Sequence, residues 1–198
     1  MLTNSNPIHP VMKRLILLIS LVFWISVSLH AQQKELLIRC DDSGMSHATN
    51  TALQQLAETG IPFSTSIMFA CPWYQESVQV LKNYDHVSAG IHLTLNAEWK
   101  NYRWGPVAGV DSVPSLVDST GFFVGSRAAF DALEPELAHI EKELRAQIER
   151  ALSSGIRIDY IDYHMGTAVD KPERRALVER LAKEYNLAVS RYYGEEDV

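Results

Sequence analysis

The sequence predicts an α/β protein in which mostly parallel strands form a sheet or barrel with helices outside. Three observations carry this expectation. Apolar, strand-like runs alternate with amphipathic helical stretches in the order β-α-β-α-β, which is the pattern of parallel architectures. The connections between these early runs are short and marked by Gly, Pro or Ser. The first run, Leu36-Leu37-Ile38-Arg39-Cys40, ends in Asp41-Asp42-Ser43-Gly44, as a strand does when it delivers acids to the mouth of such a fold.

Each element follows from its pattern. Ser46 is a suitable N-cap for a helix carrying Ala52, Leu53, Leu56 and Ala57 at helical spacing and stopping near Gly60. Phe63 to Ala70 reads as a second strand, closed by Cys71-Pro72. Trp73-Tyr74 open another helical stretch with Val78, Val80 and Leu81, and Val87 to Leu95 reads as a third strand. From Asn96 to Phe130 periodicity fails, and a connection of that length in a compact domain is commonly a lid or binding loop. Its aromatic residues Trp99, Tyr102, Trp104, Phe122 and Phe123 either offer flat faces to a sugar ring or pin the loop to the body. Pro135 to Leu152 is the clearest helix, with Leu137, Ile140, Leu144, Ile148 and Leu152 as its apolar stripe and its charges read as a solvated face. Ile156 to Tyr163 makes a fourth strand, Lys171 to Tyr185 a helix, and Leu187 to Ser190 begins a fifth strand. A closed barrel has about eight strands, so either the architecture is small and open or, as expected here, a C-terminal part is missing.

The N-terminus carries an export pattern. Lys13-Arg14 precede an apolar run from Leu15 to Ser28, and Leu29-His30-Ala31 lead into the polar Gln32-Gln33. This predicts a signal peptide over 1–31, cleaved after Ala31, and a single domain over 32–198. The run is shorter than the roughly 17–25 residues of a spanning helix, so no stable membrane association is expected after cleavage, and the destination is periplasmic or extracellular. A net charge of −6 with 21% charged residues offers no basic face, and nucleic acid is not an expected partner. Export permits disulfides, but Cys40 and Cys71 read more simply as small buried hydrophobes than as a bridge.

Three strands end in metal-ligand types: Asp42 after the first, His92 in the third and His164 after the fourth. Parallel strands bring their C-terminal ends to one face, and one carboxylate with two imidazoles suits a zinc-type divalent ion with an open position for water. Each has a plainer reading, Asp42 as a helix cap and the histidines as buried, hydrogen-bonded side chains; His47, His86 and His139 read as surface or helix residues. Because successive strand residues face opposite ways, Asp41 and Asp42 are expected to point apart and divide their labour.

The motifs resemble a known family. Arg39-Cys40-Asp41-Asp42-Ser43-Gly44-Met45-Ser46 is similar to the Ala-Asp-Asp-Phe-Gly-Leu-Ser signature of the YdjC-like, or ChbG-type, carbohydrate deacetylases. Gly90-Ile91-His92-Leu93-Thr94-Leu95 resembles their Gly-(aliphatic)-His-Leu-Thr motif, and Tyr160-Ile161-Asp162-Tyr163-His164 their His-Leu-Asp-Ser-His. The similarity runs from Glu35 to Arg191 in matching order. It implies a distorted (β/α) barrel, one divalent metal ion (magnesium or zinc) held by Asp42, His92 and His164, Asp41 as the base toward the attacking water, and an acetylated carbohydrate as substrate. The chain departs from the family where Tyr160 stands for His and where Met165 and Gly166 stand for further histidines, which puts the usual chitooligosaccharide substrate in doubt. Alternatives are a catalytically silent sugar-binding module on the same fold and a metal hydrolase for another bond such as a phosphoester, for which Arg39 and Arg103 are the available cations.

Overall fold

The computed structural model describes residues 9–28 and 36–190. The chain divides into an N-terminal unit, Met1–Leu36, and a larger unit, Leu37–Val198. In the first, helix α1 spans Pro10–Ser28 and so takes in the apolar run of the predicted leader. No described helix is long and apolar enough to cross a membrane. The expected cleavage point after Ala31 and the acidic residues 195–197 lie outside the described residues.

The larger unit is built on a parallel sheet of five strands in the order β1-β2-β3-β4-β5. These are β1 Arg39–Ser43, β2 Phe63–Ile67, β3 Val87–Leu93, β4 Tyr160–Tyr163 and β5 Ala188–Val189. Between them run α2 His47–Glu58, α3 Tyr74–Leu81, α4 Arg127–Asp131, α5 Leu137–Leu152 and α6 Pro172–Glu184. The strand order follows chain order because every crossover passes the same way over one face. That face is apolar: Ile67, Ile91, Leu93 and Ile161 lie in the same core as Ile140, Leu144 and Ile148 of α5 and Leu177 and Leu181 of α6. The other face is polar, with Ser66, Gly90, His92, Tyr160 and Asp162 in neighbouring register.

Among the described residues the sheet is open, since β1 pairs only with β2 and β5 only with β4, but it is strongly curled. Four strand spacings of about 4.8 Å would hold β1 and β5 about 19 Å apart in a flat sheet. Instead the Arg39 guanidinium donates to Ser190 Oγ, just beyond β5, at 2.8 Å. The polar face is therefore the inside of an incomplete barrel.

Several elements differ from the pattern reading. Strand β2 stops at Ile67, one residue before Met68, whose N–H still bonds the Ser43 carbonyl, and β4 starts only at Tyr160, with Ile156 and Ile158 half-buried ahead of it. Ser46 caps α2 as expected, its side chain accepting from Thr49 N–H. On α5 the charges are not all solvated. Glu143 is fully buried and accepts from the backbone N–H of Val107 and Ala108, at 2.9 and 2.8 Å, and from Gln147, so it fastens the long 96–130 segment to the body. Trp104 and Phe123 of that segment are core residues, whereas Trp99 is 51% and Phe122 38% exposed. Cys40 and Cys71 are free thiols, the second of them buried.

Candidate functional site

The adjacent acids owe their placement to a break in the sheet. Cys40 is opposite Thr65 and Ser43 opposite Ile67, so two residues of β1, Asp41 and Asp42, face the single residue Ser66. This is a β-bulge, which adds a residue and re-aims the chain. Asp42 takes the left-handed conformation it requires, at φ 63°. The alternation that would send the two carboxylates to opposite faces is thereby cancelled: each places a carboxylate oxygen within 4.8 Å of a His92 ring nitrogen. Gly44 then turns the chain at φ 82°, where an added Cβ would come to 2.8 Å from the Tyr74 backbone. Its N–H donates to the buried Asn50 Oδ1, which locks the turn to α2.

At the centre is one oxygen. Asp42 Oδ1 lies 3.2 Å from His92 Nε2 and 3.1 Å from His164 Nδ1. Both imidazoles are almost fully buried, 4% and 5% exposed, and their rings meet edge to face. Each is held at its far nitrogen by another carboxylate: His92 Nδ1 by Asp162 Oδ1 at 2.7 Å, and His164 Nε2 by Glu98 Oε2 at 3.0 Å. Trp104 packs edge-on against His164. Asp162 also accepts from Ser66 Oγ, which is 3.0 Å from the Tyr160 hydroxyl. Asp41 is partly open, at 33% side-chain exposure, and is held by Arg39 Nε at 2.9 Å.

These contacts govern protonation. Burial alone would lower the His92 pKa, but hydrogen bonds to Asp162 and Asp42 and their charges outweigh it, and it is pushed up to about 9. His164 follows the same logic through Asp42 and Glu98, and its pKa is also raised against burial. Burial works to raise the Asp42 carboxyl, yet the hydrogen bonds and charges of His164 and His92 hold it well below the usual range. Glu98 is likewise lowered, through His164, against its own partial burial. Carboxylate oxygen and imidazole nitrogens gathered this closely are a donor set that fits a divalent cation.

The residues predicted from sequence, Asp41, Asp42, His92 and His164, are thus brought to one place. His47, His86 and His139 are elsewhere, bonded to Glu76, the Ala57 carbonyl and Ser115. Sequence reasoning missed the parts played by Arg39, Ser66, Glu98 and Asp162. Strand alternation could have found Asp162, because it shares a face with Tyr160 and leads to His164. No local signal marks Glu98.

A model of the family described as YdjC-like protein matches residues 35–197. The chain belongs to the YdjC-like family. A carbohydrate deacetylase of Thermoanaerobacter pseudethanolicus is 31% identical over 157 residues, covering 79% of this chain and 59% of the relative. A carbohydrate deacetylase of Brevibacillus brevis is 30% identical, over 78% of this chain and 58% of its own. Among solved structures, a protein of Enterococcus faecalis described as a cellobiose-phosphate cleavage protein superposes with a TM-score of 0.71 at 27% identity, over 83% of this chain and 62% of that one. This YdjC-like chain therefore spans somewhat under two thirds of the length of the relatives it matches.

Proposed function

We propose that this chain carries the chemical face of a metal-dependent hydrolase that removes the acetyl group from an N-acetylated sugar. The observation that carries the reading is the convergence of His92 Nε2 and His164 Nδ1 on Asp42 Oδ1 with the partly open Asp41 carboxylate beside them. The carbohydrate deacetylases among its relatives support the substrate class. Asp42, His92 and His164 would hold one divalent ion, which when bound polarises a carbonyl oxygen and brings water toward a pKa of about 7. Asp162, accepting from Nδ1–H of His92, would leave Nε2 as the nitrogen free of a proton when the ion is bound. Asp41 serves as general base, accepting the proton of the attacking water at Oδ1 or Oδ2, with Arg39 holding the carboxylate in place. The exposed ring of Trp99 supplies a flat face for the sugar beside the site. We assign residues 1–31 as an export signal and 32–198 to the YdjC-like domain, on the basic-then-apolar pattern of the first and the family match of the second.

The test is elemental analysis of the purified protein and its His92→Ala variant, with acetate release from N-acetylated sugars measured alongside. One divalent ion per chain, lost in the variant, together with acetate release that Asp41→Asn abolishes without loss of the ion, is the expected result. Absence of bound ion after incubation with zinc or magnesium would refute the reading. Unchanged turnover in Asp41→Asn would remove Asp41 as the base.

A further inference from the structure

The two imidazoles of the site are held in the same way, but only one of the two holding carboxylates belongs to a strand. Asp162 lies in β4 two residues before His164. Glu98 lies in the long connection after β3, with a side chain 29% exposed and 66 residues distant in sequence from the histidine it contacts. Two observations show that this contact is built. The segment leading to Glu98 is fastened on both sides: Ala97 N–H donates to the Val124 carbonyl at 3.0 Å, and Asn96 Oδ1 accepts from Thr167 Oγ1, one residue beyond the 3-10 turn His164–Gly166. That turn is itself constrained, with Met165 left-handed at φ 54°. The loop after β3 and the turn after β4 are thus tied twice, once through Asn96 and once through Glu98. Glu98 uses both oxygens, since Oε1 accepts from the indole N–H of Trp99 at 3.1 Å while Oε2 meets His164.

Resting on the metal-site reading above, we propose that Glu98 is the positioning residue of His164. By accepting from Nε2–H it fixes the ring's tautomer and rotation, so that the Nδ1 lone pair faces Asp42. The exposed Trp99 ring is held by the same carboxylate. A ring nitrogen can serve as a ligand only if it carries no proton, and the tautomer is set by what the other nitrogen bonds. Glu98 Oε2, at 3.0 Å, is the acceptor at Nε2 that chooses between the two tautomers.

The experiment is titration of the purified full chain with zinc against a competing chelator, and of its cobalt form by visible absorption, for the parent, Asp42→Ala, Glu98→Ala and Glu98→Gln. Thermal unfolding of each variant verifies folding. Loss of a carboxylate behind a ligating histidine typically weakens metal binding by about 10–100-fold. Glu98→Ala should fall in that range, with the cobalt spectrum at saturation unchanged, and Glu98→Gln, which keeps an oxygen to accept from Nε2–H, should recover most of the loss. Affinity of Glu98→Ala within twofold of the parent, or Glu98→Gln no better than Glu98→Ala, overturns the assignment. A changed cobalt spectrum at saturation overturns it as well, because Glu98 would then be a ligand. If the parent binds and Asp42→Ala does not, such a failure belongs to Glu98 alone; if the parent binds no ion, the metal-site reading falls and takes this proposal with it.

Discussion

Gly90→Ala should damage this protein by driving a new Cβ into the Tyr160 ring. Gly90 is opposite Tyr160 in the β3–β4 register, and a Cβ at position 90 would come to 2.4 Å from two atoms of the Tyr160 ring and 2.7 Å from a third. Real Cβ contacts do not reach such distances, so the ring must move by roughly an ångström to restore ordinary van der Waals separation. It cannot swing freely, because it is buried and its hydroxyl is engaged with Ser66, which also bonds Asp162. Overpacking of this kind typically costs about 1–3 kcal/mol, or about 2–12 °C in Tm for a chain of this size. The assay is a double-mutant cycle in urea, with Gly90→Ala measured in the parent and in a Tyr160→Ser background. The clash vanishes in the second background, so the cost of Gly90→Ala should fall there to about 0.5 kcal/mol, the scatter of independent sites. An equal cost in both backgrounds would refute the steric argument and leave Gly90 without this explanation.

Three further outcomes are expected. Asp162→Ala removes the acceptor from both His92 Nδ1 and Ser66, and zinc affinity measured by chelator competition should drop by about 10–100-fold; an unchanged affinity would separate Asp162 from the site. Glu143→Ala strips the acceptor from Val107 N–H, Ala108 N–H and the Gln147 amide, so urea unfolding should show a loss of about 3 kcal/mol, with faster amide exchange at 107 and 108; protection equal to the parent at those two amides would contradict the fastening role. In the ion-free chain the His92 pKa is raised from 6.5 to about 9; a raised folded-state value adds stability that is fully present below about 6.5 and is lost as the pH climbs through about 9. The parent's stability should therefore fall more steeply than that of His92→Gln between those limits, and parallel pH profiles would show that His92 is not charged in the folded state.

How far the sequence could be read depended on whether a feature belonged to one segment or to two. Helices α2, α5 and α6 were legible because periodicity and a cap are local, as with Ser46 Oγ accepting from Thr49 N–H. Asp42, His92 and His164 were legible because parallel strands share an end. The bulge at Asp41-Asp42 was not, since register exists only between β1 and β2, and without it the alternation rule sends the two acids apart. Glu143 looked like a solvated charge because its partners are backbone groups of a distant loop. Trp104 and Phe123 could not be told from Trp99 and Phe122 by composition; their burial is decided by how the 96–130 segment lies on the body.

Formal charge explains why so polar a cluster persists inside an otherwise apolar protein. Among the described residues, Asp41, Asp42, Asp162 and Glu98 stand around the two imidazoles, and the cation in contact with them is Arg39. Four carboxylates against one guanidinium leave three negative charges in a region where burial makes uncompensated charge expensive. Two protons on His92 and His164 would reduce that to one, and a single divalent ion with both rings neutral would do the same. The upward pKa shifts of both histidines and the depressed values of Asp42 and Glu98 are the response to this deficit when protons are the available cations. On the proposed metal-site reading, proton and metal compete for the same compensation. One carboxylate per imidazole would suffice for a structural ion pair, whereas here His92 and His164 share Asp42 and each has a second carboxylate at its far nitrogen, an excess of negative charge that accords with the proposed divalent ion.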